Sequence, residues 1–264
     1  MNDNFYAFFE SINYASEEQV EENRTIYLPY VEPILKYFNS PLAFDVGCGR
    51  GEWLHMLRKL GFKTQGVDIN SGMLKSALNK GLDVYLDDGI NYLHKLESNS
   101  VSVLTAFHVL EHLHFKDIQE FFFQSQRILM PGGILIVETP NPENLHVATT
   151  NFYLDPTHIR PIPILQMITL CKANNFNIYS IIRLQEDKTL YYREDIYLKD
   201  LFYGVSKDYA LIAQKEGGNT DLLNALKLPM KYETGIGIDE ILKRLDAKID
   251  KLLKIENSIM DKDK

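Results

Sequence analysis

Three glycines at alternate positions, Gly47, Gly49 and Gly51, follow the apolar run LAFDV at residues 42–46. A glycine turn after a strand lets backbone N–H groups approach a ligand, because glycine accepts positive φ and carries no side chain. A dinucleotide site asks for G-x-G-x-x-G. Here Glu52 stands where the third glycine belongs, so nothing in the spacing favours a pyrophosphate. Asp68 ends a second apolar run 21 residues beyond Gly47. An acid there accepts the two hydroxyls of a ribose; the competing reading is a helix N-cap. Asp87-Asp88-Gly89 closes a third run, where a carboxylate either accepts from an exocyclic amine or sits in a solvated turn.

A second group of residues has acid–base chemistry. Glu111 and His112 follow a fourth apolar run, and His158 and Arg160 lie together in DPTHIRP. Histidine titrates near neutral pH and suits removal of a hydroxyl proton; capping or a structural hydrogen bond is the plainer role. Arg160, Arg193 and Arg183 suit an anionic acceptor, or ordinary ion pairs. Tyr153, Tyr191 and Tyr192 suit stacking on a sugar or hydrogen bonding to phosphate, or simple packing. Glu111, His112 and Glu138 are metal-ligand types, but one Glu-His pair does not specify a centre and no metal is expected.

These residues fall at the ends of strands that alternate with helices. Strands are read at 42–46, 63–69, 82–86, 101–107 and 132–140, with helices at 52–60, 71–80, 90–96 and 116–129 between them. Ser71 is read as the N-cap of the second of these helices, with Gly61 and Gly81 as terminators. Such alternation means a parallel sheet with helices on both faces and ligands at the strands' carboxyl ends. Residues 17–38 read as a helix broken or kinked at Pro29 and Pro33. Residues 141–163 read as one long polar loop, of the kind that is usually functional. A helix at 164–174, a strand at 176–184, a tyrosine-rich stretch at 185–204 and a last strand at 207–215 follow.

The expected organisation is an N-terminal helical cap at 1–40, a catalytic α/β domain at 41–216, and a linker with a C-terminal helix at 217–264. In that tail, apolar residues at 238, 242, 245, 249, 252 and 259 keep heptad spacing. The stretch is either a short coiled coil that makes a homo-oligomer or an amphipathic helix packed on its own domain.

Composition sets outer limits. The 264 residues are 45% hydrophobic and 24% charged, with a net charge of -8 and a pI near 5.4. The acidic balance argues against a nucleic-acid partner. Two cysteines far apart fit a reducing compartment. MNDNFYAFFESINY lacks a basic region followed by an apolar run, and no run approaches the ~20 residues of a membrane helix. A cytoplasmic protein without a transmembrane segment is expected, either free or peripheral to a membrane-bound synthesis complex.

FDVGCGRGEWL, GVDIN, LDDGINYL, AFHVLEHL and LMPGGILIVETPNP, in this order, resemble the class I S-adenosylmethionine-dependent methyltransferases. The resemblance covers about residues 40–215 and implies a Rossmann-like seven-stranded, mostly parallel sheet with an antiparallel last strand. It implies S-adenosylmethionine as cofactor, with Asp45, Gly47 and Gly49 lining the methionine moiety. Asp68 would hold the ribose, Ile69 the adenine face, and Asp88 with Gly89 the adenine edge. Phe107 and His108 would close over the amino acid end. A narrower similarity, carried by FYAFFE, RTIYLPYVEPIL, GCGRGEWL, VLEHL, ETPNPENL and FYLDPTHIRP, is to bacterial surface-polysaccharide methyltransferases of O-antigen or capsular methyl phosphoramidate type. That implies a glycan, sugar-nucleotide or phosphorylated acceptor, methylated on a sugar hydroxyl or a phosphate-like oxygen. His112, His158 and Glu111 are then the catalytic candidates, and Arg160, Arg193, Tyr153 and Tyr192 the acceptor-binding ones. Tyr6 and Phe9 are candidates for folding over the cofactor. A lipid or quinone methyltransferase, which would need an apolar acceptor pocket, and a non-catalytic binding scaffold are the alternatives.

Overall fold

The computed structural model describes residues 15–227 and 234–262; Tyr6 and Phe9 lie outside the described residues. Seven strands form one sheet: β1 (Leu42–Val46), β2 (Lys63–Asp68), β3 (Asp83–Leu86), β4 (Val101–Phe107), β5 (Leu129–Pro140), β6 (Ile178–Leu184) and β7 (Asp208–Gln214). Their spatial order is β3-β2-β1-β4-β5-β7-β6. β1 to β5 pair in parallel, while β7 runs antiparallel to both β5 and β6. The fold is therefore the expected Rossmann-like one with an antiparallel last strand. Strand order reverses between β1 and β4, and the crevice at such a reversal is where open α/β sheets bind ligands.

The helices are α1 (Glu17–Arg24), α2 (Leu28–Val31), α3 (Glu52–Leu60), α4 (Ser71–Asn79), α5 (Gly89–Lys95), α6 (Phe115–Ile128), α7 (Leu145–Thr149), α8 (Ile164–Ala173), α9 (Leu198–Tyr203), α10 (Thr220–Lys227) and α11 (Ile238–Lys262). Alternate strand residues face opposite layers. Phe44, Val46, Leu104, Leu135 and Leu211 pack with Ile90 and Leu93 of α5 and Ile118 and Phe121 of α6. On the other face Ala43, Val103, Ile134, Ile136 and Ile212 pack with Tyr27, Val31, Ile34, Trp53, Leu57, Leu222 and Leu226. Each such Val, Leu, Ile or Phe side chain, fully buried, contributes about 1.5–3 kcal/mol. Tyr27, Val31 and Ile34 of the N-terminal segment are thus part of the core.

Several boundaries differ from the sequence reading. The N-terminal helix gives way to a 3-10 turn at Thr25, four residues before Pro29, and resumes as α2 with Pro29 in its first turn. Asn70, and not Ser71, caps α4: its side chain accepts from Gly72 N and Met73 N at 2.9 and 3.3 Å. The 141–163 segment is not one open loop. It contains α7 and a 3-10 turn at Asn151–Leu154. Its asparagines, which read as loop signals, are buried anchors: Asn144 caps α7 through Val147 N and donates to Val205 O at 2.6 Å, and Asn141 donates to Ser206 O at 2.9 Å.

The tail helix forms in one piece but does not present the expected seam. Ile238, Ile241 and Leu245 dock on Leu190, Ile196, Leu201 and Val205. Leu242, assigned to the seam, is 39% exposed. Arg244 donates to Leu190 O and Arg193 O at 2.8 and 2.5 Å, and Lys248 reaches Asp195 at 3.3 Å. Beyond it, Ile249, Leu252, Leu253, Ile255, Ile259 and Met260 are exposed. Among the described residues no helix is long and apolar enough to cross a membrane.

Candidate functional site

The crevice opens at the carboxyl ends of β1, β2, β4 and β5. Gly47, Gly49 and Gly51 all take positive φ, +70°, +52° and +77°. They serve different ends. A Cβ on Gly47 would stand 2.4 Å from Val109 Cγ2, so that glycine lets the turn pack closely on Val109. A Cβ on Gly49 would meet only Met73 Cε, at 3.6 Å, so the turn is open at that point: a cradle that a side chain would fill. Asp68 turns one carboxylate oxygen to Gly49 N at 2.8 Å and the other to Asn70 N at 2.7 Å. It therefore ties the glycine turn to β2 instead of capping a helix, and each oxygen has capacity for a further donor. Burial raises its carboxyl above the ordinary value against the pull of those N–H groups. Beside it Ile69 is 76% exposed, an apolar side chain at a strand end with little to cover it.

Asp45 is buried and accepts from Thr105 Oγ1 at 2.6 Å. Burial pushes its carboxyl up to about 7, although the Thr105 bond and Arg24 oppose the rise. Asp88 caps α5 by accepting from Asn91 N at 2.9 Å, a role the sequence reading did not give it. Gly89 lets α5 close on β1, since a Cβ there would lie 2.6 Å from Val46 Cγ1. Asp87 pairs with Lys95.

His108, at the end of β4, is the centre of a charged network. Its backbone is left-handed, φ +54°, uncommon for a residue with a side chain. Nδ1 lies 3.2 Å from Glu111, Nε2 lies 3.0 Å from Glu138, and Asp208 is 4.0 Å away. Burial opposes a charge on the ring, but Asp208, Glu111 and Glu138 outweigh it and raise its pKa well above the usual value. Glu138 also receives Arg24 Nη1 at 2.5 Å and the Tyr27 hydroxyl. Burial works against its charge; Arg24, His108 and Tyr27 overcome that and hold the carboxyl well below its usual range. Burial raises Asp208 to about 6. Arg24 also covers the Phe107 ring, 3.7 Å from its centroid. Phe107 itself packs on Tyr27 and Trp53.

Glu111, a catalytic candidate from sequence, is fully buried. One oxygen meets His108 Nδ1 and the other accepts from Thr139 Oγ1 at 3.0 Å. Its carboxylate therefore orients His108, and facing it toward an acceptor would leave both partners unpaired. His112 and His158 are brought together, with ring centroids 4.6 Å apart. His112 Nδ1 lies 2.8 Å from Thr157 Oγ1, and His158 Nδ1 lies 2.6 Å from Phe152 O. Burial lowers the pKa of His112 while Glu111 opposes the fall. Tyr153 stands on the adjacent turn, exposed, with its ring edge-on to Phe152 at 5.4 Å. Arg160 lies 4.9 Å over the Phe115 ring, with Nη2 buried and lacking a hydrogen-bond partner among the described residues.

Other acceptor candidates are placed elsewhere. Arg193 is ion-paired to Asp200 at 2.8 Å, and its carbonyl receives Arg244 from the tail helix, which places it on that docking surface. Arg183 forms two bonds to Glu143, at 2.8 and 3.1 Å. Tyr192, 83% exposed, sits on the same turn as Arg193. Among the described residues two triads offer metal-ligand atoms within 4.8 Å of one another: Glu111, His112 and His158, and His108, Glu138 and Asp208. In both, the glutamate is already committed to partners described above. Sequence reasoning missed Arg24, Tyr27, Asp155, Thr157 and Asp208. Only the Asp-x-Thr spacing in DPTHIRP carried a signal, since Asp two residues before Thr favours a side-chain-closed turn.

The sequence profile of a family described as "Methyltransferase domain" matches residues 20–181. A "Probable S-adenosylmethionine-dependent methyltransferase" of Mycolicibacterium smegmatis is 25% identical over 136 residues, 52% of this chain and 52% of that one. A ubiquinone biosynthesis O-methyltransferase of Nitrosococcus oceani is 30% identical over 102 residues, 37% of this chain and 42% of that one. The chain thus spans about half or less of the length of these curated relatives. Among solved structures, an S-adenosylmethionine-dependent methyltransferase from Archaeoglobus fulgidus superposes with a TM-score of 0.70 at 28% identity, covering 80% of this chain and 100% of that one.

Proposed function

The chain belongs to the methyltransferase domain family, with S-adenosylmethionine as its cofactor, and on that premise we propose that it methylates a hydroxyl oxygen. The cradle fits the cofactor: Gly49 leaves backbone open to it, Asp68 retains capacity for ribose hydroxyls, and Ile69 offers an apolar surface to adenine. Asp88 and Gly89 would meet the adenine edge. Asp45, Gly47, Phe107 and His108 would hold the methionine end, where the buried carboxylate of Asp45 suits an ammonium. When bound, the cofactor supplies an electrophilic methyl on a sulfonium; the chain's own task is alignment and proton removal.

The observation that carries the hydroxyl reading is the pairing of His112 with His158 beside the end of β4. Burial keeps His112 neutral at physiological pH, the state a base must have before it takes a proton. An anionic phosphate acceptor would want free cations, and Arg193 and Arg183 are already paired. Arg160 is left to orient the acceptor. In this reading His112 and His158 contact the acceptor, Tyr153 flanks it, and Glu111 acts through His108.

The glycan acceptor follows from the resemblance to surface-polysaccharide methyltransferases. A second reading, a phenolic or quinone-type acceptor, draws on the ubiquinone O-methyltransferase relatives. It also draws on Tyr153, Leu154 and Ile159, exposed large side chains on the segment that the sequence presented as polar. For the distal half of α11, whose apolar residues are exposed, we propose helix-to-helix self-association. An acceptor screen with methyl-labelled cofactor decides the substrate, covering sugar nucleotides, phosphorylated glycans, phosphoramidates and dihydroxybenzenes. Transfer to a hydroxyl, abolished by His112→Gln, is expected. Transfer only to phosphate or phosphoramidate oxygen, or full turnover by His112→Gln, sinks the reading.

A further inference from the structure

The short turn at 155–158 carries more than His158. Asp155 Oδ1 accepts from Thr157 N at 2.8 Å and from Thr157 Oγ1 at 2.6 Å. A short contact from a hydroxyl to a carboxylate is a charge-assisted bond, so the hydroxyl proton lies toward Asp155. A hydroxyl has one proton. Thr157 Oγ1 therefore has only lone pairs to offer His112 Nδ1, 2.8 Å away, and that nitrogen must be the one bearing hydrogen.

We infer that Asp155 and Thr157 are positioning residues that hold neutral His112 as its Nδ1–H tautomer, presenting the Nε2 lone pair to the acceptor. This rests on the reading of His112 as the base. In the proton transfer, the acceptor O–H bond breaks and an Nε2–H bond forms. The electron pair stays on the oxygen that takes the methyl. The resulting imidazolium keeps its Nδ1–H on Thr157 with the Asp155 carboxylate behind it, and later returns the Nε2 proton to water. His158 is fixed the same way by a different acceptor: a backbone carbonyl cannot donate, so its Nδ1 carries hydrogen toward Phe152 O. The two rings lie 4.6 Å apart, and with each Nδ1–H already engaged the neutral form of each has only the Nε2 lone pair left, which suits a donor such as a hydroxyl over an anion.

The groups facing His112 are Glu111 on its own turn and Asp155, Thr157 and His158 from the opposing segment. Burial and His158 disfavour its protonation; Glu111, Asp155 and the Thr157 backbone, which substitution of that side chain leaves in place, favour it. Cutting the link through Thr157 therefore lowers the titration of His112.

The test is nitrogen NMR of the full chain, histidine-labelled, read without acceptor. Wild type at pH 7.5 is expected to show His112 protonated at Nδ1 and bare at Nε2. Thr157→Val is expected to give a mixture of tautomers and a titration midpoint lower by several tenths of a pH unit. Thr157→Ser restores both, and Asp155→Asn reproduces part of the shift. A wild-type His112 protonated at Nε2 overturns the inference, as does a Thr157→Val spectrum and midpoint identical to wild type. Its failure is read in a spectrum and that of the base reading in His112→Gln turnover, so the two are told apart.

Discussion

Arg24 of the N-terminal helix donates to Glu138 at the end of β5 at 2.5 Å, across 114 residues of sequence. Both side chains are nearly buried, with relative exposures of 12% and 4%. Breaking such a pair leaves a buried charge without its partner. Arg24→Met is expected to cost roughly 3 kcal/mol in urea unfolding. Arg24→Met combined with Glu138→Gln should recover part of that loss. A single variant as stable as wild type would show the pair to be idle.

The acids in the crevice make a prediction about pH. Asp45 and Asp208 rise from 3.8 to about 7 and about 6, and His108 is raised as well. The folded state therefore holds more protons than the unfolded one through this window, and its stability falls as pH rises through about 6 and about 7. His112, lowered, acts in the opposite sense. Cofactor-free protein is expected to gain about 2 kcal/mol, a few degrees of Tm, between pH 8 and pH 5.5. Asp45→Asn should flatten the slope. Calorimetric melts that are level or rise toward pH 8 contradict the assignment.

The glycine turn separates stability from binding. Gly49→Ala meets only Met73 at 3.6 Å and pays for its φ of +52°, a cost of about 1–2 kcal/mol. Its cofactor Kd, by titration calorimetry, is expected to weaken at least about tenfold, since a methyl fills the cradle. Gly47→Ala, with Val109 at 2.4 Å, should lose more stability. Unchanged cofactor affinity in Gly49→Ala would move the cradle elsewhere.

Two truncations divide the tail helix. Removing residues 249–264 spares Ile241 and Arg244 and is expected to leave Tm within about 2 °C while reducing the mass seen by light scattering. Removing residues 237–264 uncovers Leu190 and Ile196 and should lower Tm by several degrees, about 2–4 °C per kcal/mol lost. Equal mass for the first truncation and the full chain would rule out self-association through the distal half.

The sequence by itself determined what depends on near neighbours. Alternating apolar runs set β1 to β5 and the helices between them, and the strand ends put Gly49, Asp68 and His108 on one crevice. The same period did not say what each face would meet. Two apolar stripes share the tail helix, and only the shape of Leu190, Ile196 and Val205 chose Ile241 over Leu242. Arg193 read equally as an anion binder or an ion-pair residue until the fold set Asp200 beside it. His112 and Thr157 became partners because the segment after β5 folds back over the end of β4, where Ile159 N bonds to Glu111 O at 2.8 Å. Contacts between residues far apart in the chain arise from packing and sheet order, and a one-dimensional pattern carries neither.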